Sequence, residues 1–103
     1  MRIVGGVAGG VPLRVPRGRA VRPTGDRTKE ALFASLGDIR GWTVVDVFAG
    51  SGALGLEALS RGAQNVTFVE FRAEAVHSIR RNLTTVQRAF GEQDCGTARV
   101  LQA

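Results

Sequence analysis

Val44-Val45-Asp46-Val47-Phe48-Ala49-Gly50-Ser51-Gly52-Ala53-Leu54-Gly55 is the stretch that decides the fold. An apolar strand runs into a glycine-rich turn and then into a helix, which is how a parallel α/β sheet builds a nucleotide-cofactor pocket. Val44, Val45, Val47 and Phe48 are apolar whichever way they point, which predicts a strand with helices over both faces. Asp46 interrupts the run. It puts an acceptor near the carboxyl end of the strand, where ligands of such sheets bind, and the strand pattern suggests no packing purpose for it. Gly50 and Gly52 let the backbone turn tightly and come close to a ligand, and Gly55 lets the helix approach the sheet.

Two cofactors compete for this loop. Gly50-x-Gly52-x-x-Gly55 matches the dinucleotide fingerprint, and Glu70 lies 20 residues beyond Gly50, where a ribose-binding acid belongs. Glycine-rich turns are common, however, and the chain has 14 glycines, so the match alone decides little. Asp46 tilts the reading. A pyrophosphate is anionic and is held by backbone N–H groups at a helix N-terminus, so a carboxylate just before the loop repels it. S-adenosylmethionine (SAM) carries no phosphate, and its ammonium group suits Asp46. The loop therefore reads as a SAM site ahead of an NAD(P) site, with an unliganded strand-turn-helix as the bland alternative.

Outward from the loop, Ala53 to Arg61 reads as a helix stopped by Gly62, with Leu54, Leu56, Ala58 and Leu59 available for packing. Val66-Thr67-Phe68-Val69 reads as the second strand, with Glu70 at its carboxyl end to accept hydrogen bonds from ribose hydroxyls. Phe71 follows and is equally suited to lie against an adenine or to join the core. Arg72 to Val86 reads as a helix whose Val76, Ile79, Leu83 and Val86 face the sheet. His77, Arg80, Arg81 and Arg88 fall on its solvated side. Ala89 to Thr97 reads as a polar loop, and Arg99-Val100-Leu101 starts a third strand. Upstream, Asp26 to Leu36 reads as a helix capped by Thr24 or Asp26, with an apolar stripe of Leu32, Phe33 and Leu36.

Charge is unevenly placed. The net charge is +5, and Arg2, Arg14, Arg17, Arg19, Arg22, Arg27 and Lys29 put seven of the 14 basic residues in the first 29 positions, opposed only by Asp26. Such a segment favours a polyanion through counterion release, or serves only as a solubilising tail. Interleaved Gly and Pro point to turns and short strands, with Val11-Pro12-Leu13-Arg14-Val15-Pro16 as an edge hairpin. Cys95 is the only cysteine, which excludes an intrachain disulfide and reads as an ordinary thiol. Glycines and arginines break any signal-peptide core, and no apolar run has the length of a membrane span. No repeat, metal-ligand cluster or low-complexity tract is present.

Three separated motifs resemble one family. Phe48-Ala49-Gly50-Ser51-Gly52-Ala53-Leu54-Gly55-Leu56-Glu57-Ala58-Leu59-Ser60-Arg61-Gly62-Ala63 is similar to the cofactor-loop motif of the RsmD family, bacterial 16S rRNA guanine-N2 methyltransferases. Arg2-Ile3-Val4-Gly5-Gly6 and Arg22-Pro23-Thr24-Gly25-Asp26-Arg27-Thr28-Lys29-Glu30-Ala31-Leu32-Phe33 resemble its opening segment and first helix, with Gly25 where the family usually has a second Thr. The resemblance implies a Rossmann-like α/β methyltransferase fold, here its first three parallel strands behind a basic amino-terminal extension. It implies SAM as cofactor, held by Asp46, Phe48, Ala49, Gly50, Ser51, Gly52, Glu70 and Phe71. It implies RNA contact by Arg14, Arg17, Arg19, Arg22 and Arg27, and a pocket rim of Thr24, Asp26 and Glu30.

Residues 1–40 are expected to form the RNA-facing extension and first helix, and residues 41–103 a partial SAM-binding domain. The family's catalytic motif, Asn or Asp before Pro-Pro and an aromatic residue, has no counterpart, since Pro12, Pro16 and Pro23 are the only prolines. The chain therefore reads as the amino-terminal half of a cytoplasmic enzyme acting on 16S rRNA or the small ribosomal subunit. It is expected to have no catalytic residue, metal or membrane contact of its own, to be inactive alone, and to self-associate through an exposed sheet edge. The alternatives are an NAD(P)-dependent oxidoreductase fragment and a non-catalytic RNA-binding module.

Overall fold

Three parallel strands and three helices follow one another as α1 (Asp26–Leu36), β1 (Thr43–Val47), α2 (Ala53–Ser60), β2 (Asn65–Glu70), α3 (Ala73–Phe90) and β3 (Thr97–Gln102). The computed structural model describes residues 1–15, 25–47 and 49–103. The site candidates Phe48, Arg17, Arg19, Arg22 and Thr24, and Pro16 of the expected hairpin, lie outside the described residues. The strand order is β1-β2-β3, with Val44 opposite Val66 and Val66 opposite Ala98.

Among the described residues, helices cover one face of this sheet, not the two that the apolar run of β1 predicts. Val66, Phe68 and Glu70 of β2 point under α2 and α3 and are buried. On the opposite face Val45, Val47 and Leu101 are 58%, 55% and 42% exposed. The cause is topological. Both crossovers, β1 to β2 and β2 to β3, advance in the same direction, so right-handed connections place both helices on one side. Among the described residues no strand pairs with the free edge of β1.

The first 13 residues are part of the same core. Ile3 pairs with Val11 (N–H to O, 2.9 Å) and Leu13 with Met1 (2.9 Å), an antiparallel pairing around a turn at residues 5–10. Ile3, Ala8 and Leu13 join Phe33, Leu56, Leu59, Phe68, Ile79 and Val86 in one hydrophobic cluster. Glycines permit this docking: an added Cβ on Gly6, whose φ is +76°, would lie 2.1 Å from the Ser60 carbonyl oxygen.

α1 has the expected bounds but not the expected face. Phe33 is buried, whereas Leu32 and Leu36 are 40% and 41% exposed, and the residue buried one turn before Phe33 is Lys29. Asp26 does not cap it either. Gly25 is the N-cap with no side-chain cap bond, and Asp26 instead accepts from Arg2 Nε at 3.0 Å. α3 is longer than expected, reaching Phe90, which is buried four residues after Val86. Gln, Arg and Ala are good helix formers, so the polar run after Val86 continues the helix to Gly91. Val76, Ile79 and Val86 are buried beneath it as their spacing requires.

Candidate functional site

The loop between β1 and α2 is held open by two carboxylates from the ends of adjacent strands. Gly50 and Gly52 take φ of +58° and +84°, conformations that L side chains rarely adopt. Gly52 is the N-cap of α2, so the cap residue itself has no side chain to satisfy the first-turn N–H groups. Asp46 does part of that work: its Oδ2 accepts the Gly55 N–H at 3.0 Å. The carboxylate for which the strand pattern offered no packing purpose therefore has one. Burial pushes its carboxyl up, opposed by the hydrogen bond from Gly55.

Glu70 closes the loop from the other side. Its Oε1 accepts the Gly50 N–H at 3.1 Å and its Oε2 accepts the Arg72 N–H at 2.9 Å, with Arg72 Nε at 3.5 Å. The side chain is almost fully buried at the carboxyl end of β2. Burial alone raises its carboxyl, but the N–H groups of Arg72 and Gly50 and the Arg72 guanidinium outweigh it and hold the group below the usual glutamate range. The ionised form thus adds stability above the ordinary glutamate pKa, and that contribution is lost as pH falls through the depressed value. Phe71 is 61% exposed, which removes the core alternative and leaves its ring free beside the loop.

Ser51 is buried, and its hydroxyl donates to Met1 Sδ at 3.4 Å. Ala49 is pinned by its N–H to Val69 O (3.1 Å), and Gly52 N–H turns back to Ala49 O (2.8 Å). The loop therefore brings together Asp46, Ala49, Gly50, Gly52 and Glu70, with Phe71 at the margin.

Of the expected RNA-facing residues, Arg14 and Arg27 are described and both are exposed; of the expected rim, Asp26 is half-buried and Glu30 exposed. Arg2 is tied to Asp26. Lys29 is not a surface cation at all. It is fully buried, its ammonium donating to the Arg2 carbonyl and lying 3.7 Å from Glu57 Oε1. Glu57, also fully buried, accepts from the Val4 and Gly5 N–H groups (2.9 Å each) and from Arg61 Nε (2.8 Å). Arg61 in turn lies over the Phe33 ring at 4.9 Å.

Two further residues escaped the sequence reading. Ser60 Oγ donates to Gly5 O (2.7 Å) and accepts from Ala8 N–H (2.9 Å). Asn82 is buried; its Oδ1 accepts from Arg14 N–H (2.8 Å), and its Nδ2 donates to Arg14 O (2.8 Å) and Ser51 O (3.0 Å). The signal was present: Asn82 falls between Ile79 and Val86 on the core face of α3, and a buried amide requires partners. Asn82 fixes the hairpin strand against the glycine loop.

The chain is similar to known proteins over nearly its whole length. Residues 1–100 match the family model described as Conserved hypothetical protein 95. The chain is 44% identical over 88 residues to Ribosomal RNA small subunit methyltransferase D of Haemophilus influenzae, covering 84% of this chain and 46% of that one. It is 41% identical over 104 aligned positions to the protein of the same name from Escherichia coli K12, covering all of this chain and 49% of the relative. The chain thus spans about half the length of the curated relatives it matches. A hypothetical protein of Thermus thermophilus superposes on the whole chain with a TM-score of 0.81 at 40% identity, over 55% of its own length. The C-terminal domain of a precorrin-6Y methyltransferase from Rhodobacter capsulatus shares the fold at 21% identity (TM-score 0.64; 86% of this chain, 48% of that one). No described helix is long and apolar enough to cross a membrane. With its glycine loop, its opening hairpin and its first helix all matched, the chain belongs to the family of Conserved hypothetical protein 95, the RsmD family of methyltransferases.

Proposed function

We propose that this chain forms the methyl-donor pocket and part of the RNA-facing edge of a cytoplasmic enzyme that methylates the exocyclic N2 of a guanine in small-subunit rRNA. The observation that carries the cofactor assignment is the Asp46–Gly55 bond. The N–H that a pyrophosphate would take at the start of α2 is already held by a carboxylate. That arrangement repels a dinucleotide and suits a ligand with an ammonium group and no phosphate. In this reading Glu70, at the end of the next strand, takes the ribose hydroxyls and exposed Phe71 the adenine. SAM, when bound, supplies an electrophilic methyl group on its sulfonium.

Held by Asp46, Glu70 and Phe71, SAM would supply its methyl group to the guanine nitrogen, with the S–CH3 bond exchanged for the new C–N bond and the amine proton passed to an acceptor. No residue among the 103 is assigned that acceptor's role. This chain's share is to bind and orient the donor, which brings much of the rate through proximity.

Calorimetry with SAM, S-adenosylhomocysteine and NADH tests the assignment: SAM or its product binds, and tighter NADH binding would overturn it. Glu70→Ala is expected to weaken SAM binding by about 1–3 kcal/mol, the cost of losing charge-assisted hydrogen bonds. An unchanged affinity would confine Glu70 to holding the loop.

Asp46 adds a pH signature. Its pKa is raised, so it protonates on acidification before an ordinary aspartate does. SAM affinity is expected to fall along that limb, and Asp46→Asn to bind weakly with the limb flattened. A pH profile identical in the two proteins would remove Asp46 from ammonium binding.

A further inference from the structure

An open groove of about 520 Å³ runs between the hairpin strand and α3. Arg14 stands on one wall, and Arg81 and Arg88 on the other, with Asn82, Thr84 and Thr85 between them. No acidic residue lines it, and none of the three guanidinium groups is in an ion pair among the described residues. The sequence pattern gives Arg81 and Arg88 as an ordinary solvated helix face, and only the fold brings them opposite Arg14. A second depression continues past Arg14 and Arg81 to Ser78 and His77, where Glu74 is its one acid.

We infer that this groove binds the sugar-phosphate backbone of the RNA strand flanking the target nucleotide. The inference rests on the methyltransferase reading and extends it from the hairpin to α3. Three exposed arginines without carboxylate partners are the chemistry that recognises phosphate. Arg81 and Arg88 are two turns apart on one helix, about 10 Å along its axis, so they engage separate phosphates rather than one. The threonines between them donate to the Arg80 and Arg81 carbonyls (3.1 and 3.2 Å), which leaves their oxygens to accept from ribose hydroxyls. The groove is registered to the methyl donor. Buried Asn82 holds both backbone groups of Arg14 and the carbonyl of Ser51 in the cofactor loop. A strand lying in the groove therefore has a fixed offset from the bound donor.

The test compares two double variants of the chain, Arg81→Ala with Arg88→Ala, and Arg80→Ala with Arg99→Ala. The second pair removes the same charge from exposed positions outside the groove. Binding of transcribed 16S rRNA is measured over a salt series, and unfolding is recorded for each variant. The groove pair is expected to weaken binding about tenfold or more and to reduce the salt slope by about 1.4, since each phosphate contact to a single strand contributes about 0.7. The control pair is expected to change the slope by less than half that. Equal effects of the two pairs, or no effect of the groove pair, would overturn the groove. So would equally tight binding of polyglutamate that depends on the same two arginines. SAM binding, measured in parallel, separates the two readings. Groove-dependent RNA binding without SAM binding leaves the groove standing and removes the methyl-donor pocket from this chain. SAM binding with no groove effect does the reverse.

Discussion

Glu57→Ala is expected to destabilise the fold by about 3–5 kcal/mol, the usual cost of breaking a buried ion pair from one side. The carboxylate is fully buried and meets four donors at once: two backbone N–H groups of the opening turn, the Arg61 guanidinium and the Lys29 ammonium. Removing it leaves Val4 and Gly5 without acceptors and weakens the pairing of an ammonium that has no exposed surface. Lys29 keeps only the Arg2 carbonyl and Asp26 Oδ1 at 3.9 Å. A domain of this size has about 5–15 kcal/mol of total stability, nearer the low end for a short chain. The midpoint of thermal unfolding should therefore fall by more than about 10 °C, at several degrees per kcal/mol. Lys29→Met in the Glu57→Ala background removes the buried cation and should recover part of the loss, but not the part owed to the Val4 and Gly5 N–H groups. A Glu57→Ala chain within about 1 kcal/mol of the parent by denaturant titration would show that the hairpin docks through its apolar residues alone.

That ion pair also shows where sequence reading stops. The bounds of α1, the three strands and the glycine loop are local properties. Each is stated by its own stretch of sequence through apolar runs, glycines and strand-end acids, and the structure agrees to within a residue or two. What Lys29 and Glu57 do depends on a docking between residues more than 50 positions apart, as the Val4–Glu57 bond is. In the sequence Lys29 is one more cation in a basic segment. In the fold it is a strut. Leu32 and Leu36 fail in the opposite sense: they look like core and are exposed, because Phe33 and Lys29 take the inward face of α1. Asn82 and Glu57 were legible in principle. Each is a polar residue at a position that helix spacing assigns to the core, and such a residue announces a partner without naming it. Arg81 and Arg88 were not legible, since nothing in the periodicity of α3 tells which part of the chain lies across from its polar side.

Gly55 provides the second large effect, and here the local sequence names the residue but not its reason. The fingerprint glycine lets a helix approach the sheet. The neighbour it approaches is Phe68 of β2 rather than its own strand. A Cβ at position 55 would lie 2.3 Å from Phe68 Cε2 and 2.9 Å from Cδ2 and Cζ. Phe68 is fully buried and has no solvent to move into. Alanine at this position gains about 1 kcal/mol of helix propensity over glycine, while overpacking costs about 1–3 kcal/mol, so Gly55→Ala is expected to be destabilising by the smaller difference. Gly55→Val adds two methyl groups against the same ring and gives up that propensity gain, and it should lose more than about 3 kcal/mol, beyond the ordinary overpacking range. Both should also weaken SAM binding, because sliding α2 outward lengthens the Gly55–Asp46 bond that sets the carboxylate. The discriminating measurement is a double-mutant cycle with Phe68→Leu, which opens the space that the new side chain needs. Coupling of about 0.5–3 kcal/mol in the favourable direction is expected for groups in direct contact. If Gly55→Ala and Phe68→Leu are instead simply additive, the close approach of α2 to β2 does not explain why this position is glycine.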